Sequence, residues 1–348
     1  MSAPDRLRHV LCRCEIDHAP DSRVTVFDVS AERVGGAVVL SGTVLTDHLK
    51  ARAVEAVEAV ADLPVAASDV TVLEESARAR TVTAPIAPVR GDPRDDAEQV
   101  TQLLYGANLT AYDTHSGGDP GDEWRRVRTP DGYVGWVARE YLRAVEEIDA
   151  DAAVTVGRVD VEADPGTLYA GTECEIVGPE ESGDAEVAAT GKSGNEAVRV
   201  RFRTGVEHAL PADAVAEVPA TTAGEAVVET AREYLGTEYV WGGTTVEGID
   251  CSGLAWMAYR RNGLTLPRDA DLQRRMGEAV ARDEVSGDEL EPGDLLFFPG
   301  HVALSLGGAE FVHAYGSADE VVVDSLDPDH DRYDEDLDES FELATRLV

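Results

Sequence analysis

Residues 252–262, SGLAWMAYRRN, form a strongly helical apolar stretch. Further on, GDLLFFPGHVALSLGGAEFVHAYG (293–316) is broken by Pro299-Gly300 and Gly307-Gly308 into three short strands. A helix followed by such strands reads as an α+β unit. AVVETAREYLG (226–236) supplies an earlier helix ending at Gly236, and SFELATRLV supplies a closing strand at the end of the chain. The unit is therefore drawn over residues 222–348. Its run DPDHDRYDEDLDE (327–339) reads as a solvated loop and helix, with a Ca²⁺ site as the minor alternative.

The texture upstream is different. Residues 1–78 read as β-β-α-β: VTVFDVS (24–30), a Gly35-Gly36 turn, AVVLSGTV (37–44), a helix over LKARAVEAVEAVADL (49–63) and VTVL (70–73). This order, with LSGTV after the first turn, resembles the small α/β BON domain. Residues 79–147 are short strands and turns, TVTAPIAPVR, DAEQVTQLLYGANLTAYDT and EWRRVRTPDGYVGWVAREYL. They resemble a bacterial SH3-like barrel, in which DGYVGWV and the following YL form the recurrent end. Residues 148–221 again read as short strands, with PADAV placed as the final one-turn helix of a second such barrel, and 179–195 as an acidic, Gly-rich loop. The fold class expected is multidomain α+β, with a BON-like domain, two SH3-like barrels and a C-terminal catalytic unit.

Within that unit Cys251 stands immediately before the apolar helix. Unpaired backbone N–H groups and the positive end of the helix dipole there favour thiolate over thiol. A base has to come from elsewhere. His301 starts one of the predicted strands and His313 lies in the next, separated by an even number of residues. An odd-length turn around Leu306, Gly307 and Gly308 puts both imidazoles on one sheet face. Nucleophile, base and orienter are then Cys251, His301 and His313.

The motifs YVWGG, DCSG, LPRDADLQ, GDLLFF, GHVALSLGG and FVHA, in that order over the C-terminal unit, resemble the NlpC-type cell-wall peptidases. The resemblance implies a papain-like fold and a catalytic set of Cys251, His301 and His313. It adds the hydroxyl of Tyr239, which with the backbone N–H of Cys251 binds an oxyanion. SH3-like barrels ahead of the catalytic unit are similar to the arrangement in γ-D-glutamyl-L-diamino-acid endopeptidases, which act on murein peptides with a free N-terminal L-alanine. That implies Asp250, Ser252 and Tyr133 in a pocket for the substrate amine, with Glu98 as the barrel carboxylate. Ala107 stands where relatives often carry an acid after LLYG. Trp241 reads as a cleft wall or core residue, and Arg268 as the partner of an acid or a cap on a carbonyl. No metal or organic cofactor is implied. A different γ-glutamyl amide as substrate, or a vestigial scaffold, are the competing readings.

Composition bounds the partners. Asp plus Glu number 68 against 30 Lys plus Arg, a formal net charge of −38, and the only lysines are Lys50 and Lys192. Such a charge repels nucleic acid and anionic membranes and suits a high-salt cytoplasm, where screening is short-ranged. The partner expected is a small peptide substrate. The first twenty residues carry Asp5, Arg6, Arg8, Arg13 and Glu15 without an apolar run, so no secretory signal is expected and the protein reads as cytoplasmic with reduced thiols. Cys12, Cys14 and His18 are a minor metal-site candidate with no second cluster to complete it.

Overall fold

The computed structural model describes residues 3–112, 123–179, 197–281 and 290–348. Apart from Pro179, the acidic segment expected at 179–195 lies outside the described residues. The fold is multidomain and mostly β. Two compact units divide the chain: residues 1–80, 90–97 and 109–140 form the first, and residues 81–89, 98–108 and 141–348 the second. The strands of the SH3-like segment are thus shared out between them.

In the first unit a three-stranded sheet has Ala37–Val44 in the middle, antiparallel to Phe27–Val34 and parallel to Val65–Val72. The helix Asp47–Glu58 starts at Thr46, whose Oγ1 accepts from the Leu49 amide at 3.2 Å. A second helix, Ala3–His18, was not expected from the sequence. It is largely polar, yet Leu7, Leu11 and Cys14 recur at one-turn spacing and are buried, and that narrow stripe is enough to seat it. Strands Trp124–Arg128 and Val134–Ala138 pair antiparallel in the same unit, and Tyr112 and Val134 join the helix–sheet core.

The second unit contains a five-stranded antiparallel sheet over residues 152–217, with a one-turn helix at Ala212–Ala214. Its core is Val154, Leu168, Cys174, Val200, Phe202 and Leu210, closed by Tyr105. C-terminal to it, helices Gly224–Arg232 and Cys251–Arg260 pack on a six-stranded antiparallel sheet. The strand order is Glu278–Ala281, Leu343–Arg346, Leu295–Phe298, His301–Gly307, Glu310–Tyr315, Glu320–Ser325.

Every residue from Cys251 through Tyr259 is buried. Each large apolar side chain in that run contributes about 1.5–3 kcal/mol by leaving water. The far end of the helix is tied down as well. Arg260 donates to the Gly171 carbonyl at 3.0 Å and pairs with Glu173 at 2.5 Å, and Tyr259 Oη donates to the Gly293 carbonyl at 2.6 Å. The cysteine at the front of the helix is therefore held on a fixed axis.

Candidate active site

The helix begins at Cys251 because Asp250 caps it. Asp250 Oδ1 accepts from the Gly253 amide at 2.6 Å and from Ser252 Oγ at 3.3 Å. Its Oδ2 accepts from the Gly242 amide at 2.7 Å and from Arg268 at 2.8 Å. Gly253 is required where it stands, since a Cβ there would lie 2.3 Å from the Gly243 carbonyl oxygen. The turn that carries Tyr239 and Trp241 is in this way drawn against the start of the cysteine helix.

Arg268 fills the space behind the cap. It is 2% exposed and donates to Asp250, to Ser252 Oγ at 2.8 Å, to the Gly243 carbonyl at 3.2 Å and to Thr101 Oγ1 at 3.0 Å. Both roles expected for it, acid partner and carbonyl donor, are present. Thr101 belongs to the strand Gln99–Leu104 of the SH3-like segment. The same strand places Gln102 Oε1 on the Thr244 amide at 3.0 Å and Gln99 Nε2 on the Trp241 carbonyl at 3.1 Å. Gln273 adds a donor to the Ser252 carbonyl at 3.0 Å.

Cys251 is 8% exposed. Burial pushes its thiol up to about 11, and Asp250 pushes the same way, while the Val302 and Ser252 amides and Arg268 pull it down. The helix terminus was expected to favour thiolate. Burial and the Asp250 carboxylate act against that preference. The helix that Cys251 opens packs on the strand that His301 opens, and Cys251 and Val302 belong to one core cluster.

His301 Nε2 lies 2.8 Å from His313 Nδ1, and His313 Nε2 lies 2.9 Å from Asp324 Oδ2. Burial, then the neighbouring His313, lowers His301 to about 3. With Nε2 engaged, Nδ1 is the nitrogen of His301 left for a proton from substrate or thiol. Tyr315 stacks on His313 with ring centroids 4.8 Å apart and stands 5.6 Å from the His301 ring. The two imidazoles share a face because the hairpin carries a bulge. Ser305 pairs with Phe311 and Gly307 with Glu310, leaving Leu306 extra. Tyr239, half-buried, has its hydroxyl pushed up to about 12 by burial first and by Cys251 and Asp250 next, so it remains a donor at neutral pH.

Of the other residues named from the sequence, Ser252 is buried beside Asp250, and Glu98 is exposed just ahead of the strand Gln99–Leu104. Tyr133 lies in the first unit, buried, its carbonyl accepting from the Thr129 amide. Trp241 is 60% exposed and is no core residue. Asp324 was missed altogether. Cys12 is exposed and Cys14 buried, and all four cysteines are free. Among the described residues no group of three or more His, Cys, Asp or Glu side chains is placed to hold a metal ion, the stretch 327–339 included.

Comparison with known proteins gives this geometry its class. Residues 236–334 match the NlpC/P60 family, and residues 89–142 match the bacterial dipeptidyl-peptidase SH3 domain. Dipeptidyl-peptidase 6 of Lysinibacillus sphaericus is 34% identical over 74% of this chain and 94% of its own length. The γ-D-glutamyl-L-lysine dipeptidyl-peptidase of Bacillus subtilis (strain 168) is 29% identical over 62% of this chain and 71% of its own length. In fold, the chain is similar to an NlpC/P60 family protein from Bacillus cereus, with a TM-score of 0.57 at 20% identity, over 78% of this chain and 99% of that one. The chain belongs to the NlpC/P60 family. It is a cysteine peptidase with an SH3-like domain ahead of its catalytic domain.

Proposed function

We propose that this peptidase hydrolyses the γ-D-glutamyl bond to a diamino acid in murein-type peptides with a free N-terminal L-alanine. The observation that carries the reading is Cys251 at a capped helix start, on a helix packed against the strand whose His301 is hydrogen-bonded to His313. Two similar proteins that carry dipeptidyl-peptidase names support the substrate class. In this reading Cys251 Sγ attacks the γ-carbonyl carbon as its proton passes to His301 Nδ1. The Cys251 amide and the Tyr239 hydroxyl hold the oxyanion. Collapse breaks the C–N bond, and His301 returns its proton to the leaving amine. Water then attacks the thioester, with His301 as base again, to release the dipeptide acid and the free thiol. His313 orients His301.

Asp250, Ser252, Tyr133 and Glu98 are assigned to the substrate amine and backbone by resemblance to the endopeptidases. Both Asp250 oxygens already accept hydrogen bonds inside the protein, so its share in this reading is electrostatic. The BON-like domain over 1–78, the barrels over 79–147 and 148–221, the peptidase domain over 222–348 and a cytoplasmic location belong to the same proposal.

The test is hydrolysis of L-Ala-γ-D-Glu-L-Lys against its N-acetylated form, with the wild type, Cys251→Ala and His301→Ala. The free peptide should be cut between Glu and Lys, and both variants should be folded and inactive. Acetylation removes a charge and adds bulk, and should lower kcat/KM by roughly 30- to 1000-fold, about 2–4 kcal/mol. Tyr133→Ala should narrow that gap. Equal cleavage of both peptides would leave a broader amidase, and turnover by Cys251→Ala would remove the nucleophile assignment.

A further inference from the structure

His301, His313 and Asp324 lie on three neighbouring strands of one sheet. His313 pairs with Val322 across the ladder and Phe311 with Asp324, so Asp324 is two residues along from the partner of His313 and on the same face. The His313 ring has little freedom to turn. It is wholly buried, stacked on Tyr315 and met edge-on by Phe311 at 5.0 Å. What remains open to it is where its proton sits.

We infer that Asp324 is a positioning residue for this peptidase: its carboxylate sets the tautomers of both histidines and so leaves His301 Nδ1 bare to act as base. The inference rests on the reading of Cys251 and His301 given above. A carboxylate oxygen only accepts, so His313 Nε2, 2.9 Å from Asp324 Oδ2, carries the proton. In a neutral ring Nδ1 is then a bare acceptor. His301 Nε2, 2.8 Å from that Nδ1, must be the donor. His301 Nδ1 is left with a lone pair. Without the carboxylate the whole row can reverse: His313 carries its proton on Nδ1 and donates to His301 Nε2, and His301 is then protonated on the nitrogen that should take the thiol proton. When His301 becomes an imidazolium during attack, its Nε2–H still points at His313 Nδ1, and Asp324 supports the new charge through the His313 ring. An acid that fixes a histidine tautomer is the established role of the third member of serine triads. Here it acts one residue further out.

The first test needs no variant. In the ¹⁵N-histidine-labelled full chain at neutral pH, long-range nitrogen–proton spectra should show His301 and His313 both as the Nε2–H tautomer. An Nδ1–H on either ring, as the other tautomer or as an imidazolium, overturns the inference. The second test compares Asp324→Asn, Asp324→Ala and Asp324→Glu on the peptide substrate. The Asn amide can donate to His313 Nε2 and drive the reversed row, so kcat should fall about 10²- to 10⁴-fold with KM little changed. Ala leaves room for water to accept and should lose less than Asn. Glu should restore part of the rate. Wild-type kcat in Asp324→Asn, or a fall matched by an equal loss in Asp324→Glu with both rings still Nε2–H, would reduce Asp324 to a packing residue. Full activity in His301→Ala would instead remove the underlying reading, so the two failures are distinct.

Discussion

With the thiol of Cys251 pushed up to about 11 and the imidazole of His301 pushed down to about 3, chiefly by burial, the resting pair between those values is a neutral thiol and a neutral imidazole. In the proposed mechanism, proton transfer then belongs to the attack step, when substrate is already bound. The sign of the pH dependence follows. A raised thiol value means that thiolate appears only as pH climbs toward 11, and a lowered imidazole value means that His301 stays neutral down to about 3. Inactivation of the substrate-free protein by iodoacetamide should therefore rise about tenfold per pH unit through neutrality. A rate already level at neutral pH would indicate a preformed ion pair. At this scale much was legible. Cys251 stood out by its place before an apolar helix, and His301 and His313 by their even spacing across a hairpin. Asp324 gave no signal, because one carboxylate among 68 acids has no mark until strand pairing sets it beside His313.

At the scale of elements, the cysteine helix and the histidine hairpin were readable, since an apolar stretch of helical residues and glycine-bounded strands leave few alternatives. The bulge at Leu306 was not. Were Gly307 to pair with Glu310 and the ladder to run on without the extra residue, the parity would change and His313 would turn to the face opposite His301. The helix Ala3–His18 was also hidden, because its buried stripe of Leu7, Leu11 and Cys14 is sparse within a charged stretch. The cap at Asp250 is the element on which the site rests. Removing one side of its ion pair leaves a buried charge unmatched, at a cost of about 3–5 kcal/mol. Arg268→Ala should therefore lower the denaturation midpoint of the second unit sharply. Arg268→Lys should fall between, since an ammonium cannot span Asp250, Ser252, Gly243 and Thr101 together. A midpoint unchanged in Arg268→Ala would show that the pair contributes nothing net.

For the whole molecule the dominant quantity is charge. A net charge of −38 with two lysines, Lys50 and Lys192, repels itself at every approach of its own surface. Salt shortens the range of that repulsion from about 10 Å at 0.1 M to about 3 Å at 1 M. Circular-dichroism melts should show Tm rising from low salt to multimolar KCl, and an unchanged Tm would count against a protein adapted to brine. Charge was plain in the composition. The division of the SH3-like segment between two units was not, because it depends on which strand docks where. The strand Gln99–Leu104 has its own consequence for inheritance. Thr101 completes the shell of Arg268, Gln102 caps the Thr244 amide and Gln99 holds the Trp241 carbonyl. Every peptidase motif lies downstream of residue 222, yet a gene fragment cut there would leave those three partners behind. A shuffling event or an engineered fusion that moves only residues 222–348 loses those three contacts, so the set of residues that builds the site is longer than the one the motifs outline.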